Sequence, residues 1–190
     1  AMNQRLQERV AALKEKGISP KLAIIRCGEN PSDLAYEKGA ESRAALIGVE
    51  VQKFLLPGDV SKGRLIETID QVNADGSIHG CLLFRPLPRR EDEEEVCALL
   101  APEKDVDGMT AGSLVSVFTG KGPGFPPCTA QACLEILNHY GVCLEGKRAV
   151  VIGRSLVIGR PVAMMLQAKN VTVTMCHTKT ADLPAVCREA

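Results

Sequence analysis

The chain has 190 residues, enough for one large domain or two small ones with a real core. Apolar residues make up 45% and charged residues 24%, the balance of a folded globular protein rather than a disordered one. Lys plus Arg equals Asp plus Glu at 23 each, which gives no net field for a nucleic acid or an anionic membrane surface, and no apolar run reaches the length of a membrane span. With no leader-like opening, the expected location is the cytoplasm.

Leu6, Val10 and Leu13 recur at helical spacing and predict an amphipathic helix ending near Gly17. Lys21 to Arg26 reads as a buried strand. Gly28-Glu-Asn-Pro-Ser-Asp33 is a turn with helix-capping chemistry, and a helix is expected from there to about Ile47, stopped by Gly48. Val49 to Leu56 is the next strand, closed by Pro57-Gly58. Ser61 caps a helix that carries Leu65, Ile69 and Val72 on one face, and Ile78 to Phe84 forms a third strand. The stiff loop Arg85-Pro-Leu-Pro88 leads to Glu91-Asp-Glu-Glu-Glu95, the acid-rich first turn of a helix rather than a cation site.

Residues 102 to 127 read as irregular and rich in Gly and Pro, a junction with a functional loop. Thr129 then caps a helix to Tyr140, ended by Gly141. Strand, helix and strand follow, the last from Val171 to Cys176, with another helix starting near Ala181. Strands separated by helices of this length predict an α/β fold with parallel sheets.

Eight cysteines, at 27, 81, 97, 128, 133, 143, 176 and 187, form no C-x-x-C pair and sit mostly in apolar runs. They read as buried reduced thiols, not as a disulfide framework or zinc site. The three histidines show no metal-ligand spacing, so no metal is expected.

The stretch with most chemistry is Arg148-Ala-Val-Val-Ile-Gly-Arg-Ser-Leu-Val-Ile-Gly-Arg-Pro161. An apolar strand ends in Gly153, Gly159 follows six residues later, and Pro161 leads into an apolar helix. A strand turning on glycine into a helix brings backbone N–H groups and a helix N-terminus to a phosphate, and the second glycine permits close approach. The usual fingerprint is G-x-G-x-x-G, whereas this is G-R-S-x-x-x-G. On spacing alone a nucleotide site and an ordinary tight βα turn stand level.

Lys104-Asp-Val-Asp-Gly108, Pro127-Cys-Thr129, the Gly153 turn and Val171-Thr-Val-Thr-Met-Cys-His177 occur in that order, after Tyr36 and Pro86-Leu-Pro88. With these motifs the chain resembles the bifunctional methylenetetrahydrofolate dehydrogenase/methenyltetrahydrofolate cyclohydrolase family, of the bacterial FolD type. The resemblance implies two α/β domains with a cleft between them, a folate-binding catalytic domain over residues 1–125 and a Rossmann-like NAD(P)-binding domain over residues 126–190. The family's glycine-rich C-terminal segment has no counterpart here, so the second domain is expected to be incomplete. A homodimer is implied, with tetrahydrofolate derivatives as the substrates.

In that family a hydride passes from 5,10-methylenetetrahydrofolate to the nicotinamide, and the methenyl cation is then hydrolysed to 10-formyltetrahydrofolate. By resemblance Tyr36 stacks on the folate and lends its hydroxyl, Asp107 accepts hydrogen bonds from the pterin, and Pro86, Leu87 and Pro88 wall the site. Thr129, Gly153, Arg154, Ser155, Gly159, Pro161, His177 and Thr178 form the cofactor set. The region after the last strand, Met175-Cys-His-Thr-Lys-Thr180, holds no carboxylate before Asp182, while Arg154, Ser155, Thr178 and Lys179 suit a 2′-phosphate. NADP is therefore expected over NAD.

Two positions depart from the family. Its lysine, four residues after the tyrosine, is Ala40 here, and its glutamine at the end of the third strand is Phe84, beside Arg85. Lys38 falls about 200° round the helix from Tyr36. Dehydrogenase activity is expected to survive, with hydrolysis weakened or carried by Lys38 or Arg85. The alternative is a non-catalytic folate- or nucleotide-binding relative.

Overall fold

The computed structural model describes residues 2–190. The chain forms two compact units that divide between Asp105 and Val106, ahead of the 125/126 junction read from the sequence. The reason is a helix inside the stretch expected to be irregular. It spans Ala111–Thr119 and packs on a later helix of the second unit. Thr110 Oγ1 caps it by accepting the Ser113 N–H at 3.2 Å, and Gly120, left-handed at φ 68°, ends it. The dense Gly and Pro on either side masked that short apolar segment.

The first unit runs α1 (Met2–Glu15), β1 (Lys21–Cys27), α2 (Pro31–Ile47), β2 (Glu50–Leu56), α3 (Lys62–Ala74), β3 (Gly80–Leu83) and α4 (Arg90–Ala98). Its sheet is parallel in the order β2-β1-β3, with Ile24 opposite Lys53 on one side and Leu82 on the other. Central β1 is buried continuously from Ala23 to Arg26, and β3, bridged at Cys81 to Asp105, is buried throughout, as strands covered on both faces must be. Edge strand β2 alternates between half-buried and exposed residues over its last five positions.

The turn chemistry read in the sequence holds around α2. Asn30 Oδ1 accepts the Ser32 N–H at 2.9 Å, Pro31 opens the helix and left-handed Gly48 closes it. A buried ion pair then ties α2 to β1. Arg26 Nε donates to Glu37 Oε2 at 2.6 Å, both residues are 5% exposed, and the Arg26 guanidinium also reaches the Gly28 carbonyl. Lys53 of β2 adds 3.2 Å and 2.8 Å contacts to Glu37 and Glu41. Burial works to raise the Glu37 carboxyl, but the hydrogen bonds and charges of Arg26 and Lys53 outweigh it and hold the group below its ordinary value.

The second unit comprises α5 (Ala111–Thr119), α6 (Cys128–His139), β4 (Arg148–Ile152), α7 (Gly159–Gln167), β5 (Thr172–Cys176) and α8 (Leu183–Arg188). Strands β4 and β5 pair in parallel, Val151 opposite Met175. Ala130, Leu134, Val162, Leu166 and Val171 make the core, joined by Ala149, Val151 and Val173 from the strands. Thr129 is not the cap of α6. Extended Pro127 takes that position with no side-chain hydrogen bond, and the helix begins at Cys128, which leaves Thr129 inside its first turn.

All eight cysteines are free thiols, but only Cys81, Cys97 and Cys176 are buried, and Cys128 and Cys143 are exposed. Burial, with the charge of Asp105 adding to it and that of Lys104 opposing, pushes the Cys81 thiol up to about 12. Burial also pushes Cys97 up to about 11, against the charge of Arg85.

Two outcomes are expected. Glu37→Gln leaves Arg26 buried without its counter-charge and should cost about 3 kcal/mol in urea unfolding. Because the folded carboxyl is lowered, its stabilisation is complete above the ordinary value of 4.5 and is lost as pH falls through the folded value, so wild type and variant should converge in acid. A gap that persists unchanged at about pH 3 would refute this assignment. In thiol titration of the native chain, Cys128 and Cys143 should react first, and Cys81 and Cys97 only on unfolding.

Candidate functional site

In the first unit the chain leaves β1 for one side of the sheet and later returns to its other side as β3, so β1 and β3 flank a switch point. Loops diverge at the carboxyl ends of such strands and leave a crevice where ligands bind. Tyr36, in the second turn of α2, presents its ring there with 57% exposure. The Phe84 N–H donates to the Ile25 carbonyl at 2.9 Å, and its ring lies under Tyr36 with centroids 5.4 Å apart and planes tilted by 54°.

Ala40 packs on the cluster of Ile24, Leu82 and Phe84. The positions where the resemblance expects lysine and glutamine are thus joined as an apolar surface. Helix α2 is unbroken from Pro31 to Ile47, so its register from Tyr36 is that of a regular helix. Lys38 is exposed on another face, and Arg43 is bonded to Asn3 of α1 at 2.7 Å.

The loop after β3 has a cis Arg85–Pro86 bond. Pro86 and Pro88 are exposed, whereas Leu87 is 2% exposed and belongs to the core, so of the three residues expected to wall the site only the prolines are accessible to a ligand. Glu93 holds this loop: its Oε2 accepts the Leu87 N–H at 2.8 Å. In the sequence Glu93 is indistinguishable from its neighbours in an acidic run, of which Glu91, Glu94 and Glu95 face solvent and Asp92 is buried.

Within Lys104-Asp-Val-Asp-Gly108 the duties are divided. Lys104 Nζ donates to the carbonyls of Val72, Asn73 and Asp75 at 2.6, 2.9 and 2.7 Å, closing the end of α3. Asp105 is fully buried. Asp107 opens the second unit half-buried, and left-handed Gly108 follows at φ 66°. A Cβ on Gly108 would overlap the Phe125 carbonyl and the Pro127 nitrogen, so the turn after Asp107 requires glycine.

The glycine turn shows why its two glycines are needed. Gly153 has φ 125°, and its N–H donates to the Cys176 carbonyl at 2.8 Å. A Cβ on Gly159 would overlap the Gly153 carbonyl, so α7 starts in backbone contact with the turn. Ser155 Oγ accepts the Ile158 N–H at 3.0 Å and the Gly159 N–H at 3.4 Å, which braces the turn into α7 and leaves the hydroxyl proton to donate to an anion. Arg154 is exposed, and Pro161 is buried in the first turn of α7.

After β5, His177 Nδ1 accepts the Lys179 N–H at 3.1 Å, so the proton of the neutral ring sits on Nε2. Thr178 and Lys179 are exposed. Asp182, the first carboxylate past the strand, accepts the Ala185 N–H at 3.2 Å as the cap of α8. A groove of about 560 Å³ adjoins the turn, lined by Arg154, Leu156 and His177 together with Phe118 of α5, Met164 of α7 and Met175 of β5. The α5 contribution was invisible while that helix was unrecognised. Among the described residues no cluster of His, Cys, Asp or Glu fits a metal ion.

With a positive-φ glycine, a helix that tolerates no Cβ at its start, a bracing hydroxyl and cations without a competing free carboxylate, this turn suits a phosphorylated nucleotide. The model of the tetrahydrofolate dehydrogenase/cyclohydrolase catalytic domain matches residues 1–107, and that of the NAD(P)-binding domain matches residues 127–190. The chain is 48% identical over 190 residues to the bifunctional protein FolD of Carboxydothermus hydrogenoformans, covering all of this chain and 66% of that protein. The FolD crystal structure from Campylobacter jejuni superposes with a TM-score of 0.93 at 35% identity, over 99% of this chain and 67% of that one. The Trypanosoma brucei dehydrogenase-cyclohydrolase, solved with NADP and an inhibitor, gives 0.88 at 31%, over 99% and 65%. The chain therefore spans about 66% of the length of the curated relative.

Ser155→Ala should lower stability by about 1 kcal/mol, the usual effect of removing a side-chain hydrogen-bond acceptor. Gly159→Ala should cost more, since its new methyl meets backbone. Thermal melts test the order, and equal midpoints for the two variants would refute it.

Proposed function

The chain belongs to the tetrahydrofolate dehydrogenase/cyclohydrolase family, and from that premise we propose that it oxidises 5,10-methylenetetrahydrofolate to the 5,10-methenyl form with NADP, while hydrolysing the product weakly or not at all. The observation that carries this reading is the packing of Ala40 against Phe84 beside Tyr36. Loss of a hydride from the methylene carbon moves no proton and needs a site that tolerates the resulting cation. The exposed Tyr36 ring offers a π-face for that, and Asp107 an acceptor for the pterin N–H groups. Hydrolysis differs, because a proton leaves the attacking water and another reaches the departing nitrogen. An apolar side chain at both 40 and 84 supplies no group for that transfer.

NADP, when bound, supplies the hydride acceptor. Arg154 and Lys179 are the cations for its 2′-phosphate, Ser155 a hydroxyl donor, and the Gly153–Gly159 contact the close backbone approach to the pyrophosphate. Thr178 and His177 Nε2–H border the same region, and Thr129 is assigned to the nicotinamide end by family likeness. Engagement of Asp182 with Ala185 favours NADP further, because no free acid is left there for a ribose 2′-OH. A homodimer in the cytoplasm completes the reading. The location agrees with eight free thiols, and the dimer follows from the family alone.

The test is to incubate the chain with 5,10-methylenetetrahydrofolate and NADP and to follow methenyl formation and decay separately. Formation should be catalysed and decay close to the spontaneous rate. Ala40→Lys combined with Phe84→Gln should raise decay on the order of 100-fold. Rapid decay with the unmodified chain would overturn the weakened-hydrolysis reading, and its dependence on Lys38 or Arg85 would identify the substitute group. Folate binding without methenyl formation would favour a non-catalytic binding protein, the alternative that Ala40 and Phe84 make coherent. Arg154→Ala should weaken NADP binding more than NAD binding, and equal losses would count against the 2′-phosphate assignment.

A further inference from the structure

We propose that Phe84 is a positioning residue for Tyr36, a buried aromatic platform that sets the tilt of the exposed ring before ligand arrives. The proposal rests on the reading that Tyr36 stacks on a flat heteroaromatic substrate. Tyr36 is 57% exposed, and an exposed ring on a helix ordinarily samples several rotamers, an entropy that binding must remove. Phe84 differs in every respect. It is 7% exposed, its backbone N–H is bonded to the Ile25 carbonyl, and its ring belongs to the cluster with Ile24 and Leu82. Its position is therefore fixed by the sheet.

The separation of 5.4 Å and tilt of 54° lie in the range of favourable tilted aromatic pairs, where the positive edge of one ring meets the negative face of the other. Ala40, one turn after Tyr36, packs on the same cluster and carries no side chain long enough to displace the pair. One ring is thus anchored in the core and the other projects to solvent, coupled by a geometry that a merely space-filling residue would not impose. Leucine or methionine at 84 would fill the volume and support α2, but would remove the oriented ring contact to Tyr36.

A double-mutant cycle tests this through tetrahydrofolate binding, with Phe84→Leu and Phe84→Met each made in the unmodified chain and in Tyr36→Leu. In the unmodified chain either change should weaken tetrahydrofolate binding about threefold to tenfold and leave NADP binding unchanged. In Tyr36→Leu the same changes should have no further effect. Equal losses in both backgrounds, or no loss in the first, would overturn the positioning role.

A second measurement needs no folate and separates failure here from failure of the functional reading. The chain has two tyrosines and no tryptophan, so in Tyr140→Phe the near-ultraviolet tyrosine signal comes from Tyr36 alone. Phe84→Met should collapse the near-ultraviolet circular dichroism of Tyr36 while the far-ultraviolet spectrum stays native. An unchanged tyrosine signal would overturn the proposal even if folate binds, and a collapsed signal with no folate binding in the parent would uphold it while sinking the proposed substrate.

Discussion

The Arg26–Glu37 pair is the interaction on which the first unit's site depends. It joins the central strand to α2 one residue beyond Tyr36, at 2.6 Å and with both residues 5% exposed. A buried pair of this kind adds little net stability over an apolar contact, but it permits few arrangements of helix on sheet. Lys53 extends the restriction to the edge strand. A slide of α2 by one turn would separate the charges and carry Tyr36 away from the β1–β3 crevice, so the pair sets where the aromatic ring stands.

The second unit has a different constraint, a backbone contact instead of a charge pair. Helix α7 begins against the Gly153 carbonyl because Gly159 has no Cβ. Ser155 is then in reach of the helix entrance, and Arg154 stands exposed beside it. The consequence is electrostatic: partial positive charge at the helix start and the full charges of Arg154 and Lys179 favour an anion, while Asp182, the nearest following carboxylate, is occupied as a helix cap.

The chemistry expected of the family separates along these lines. Hydride transfer asks for a held dinucleotide and a surface compatible with a cation, and neither requirement calls for a proton-transferring group at positions 40 or 84. Hydrolysis asks for proton transfer, and positions 40 and 84 hold only the contact between Ala40 and the Phe84 cluster. The two apolar residues are mutually consistent. A lysine at 40 would place an ammonium against an apolar surface, and a glutamine at 84 would bury an amide there, each at a cost that the other's presence offsets. With Ala40 and Phe84 neither cost arises, and the Phe84 ring packs beside Tyr36.

Much of this was legible in the amino-acid order because it rests on local rules. Among the described residues, periodicity identified seven of the eight helices and all five strands. Asn30, Pro31, Gly48 and Ser61 acted as punctuation because capping and left-handed turns are decided within a few residues. The second glycine of the nucleotide turn was likewise readable as a close approach. Other features required the folded chain. Helix α5 was hidden by its Gly- and Pro-rich flanks, Pro127 took the cap assigned to Thr129, Leu87 turned into the core, and Glu93 was drawn from an acidic run to hold the Leu87 N–H. The Tyr36–Phe84 pair joins residues 48 positions apart across a parallel crossover, as 84 minus 36 shows. Sequence by itself determined the kinds of group available and all of these elements but α5, since those follow from local periodicity and backbone preference. Only the tertiary structure decided which groups meet, because packing brings together side chains whose separation along the chain carries no local signal.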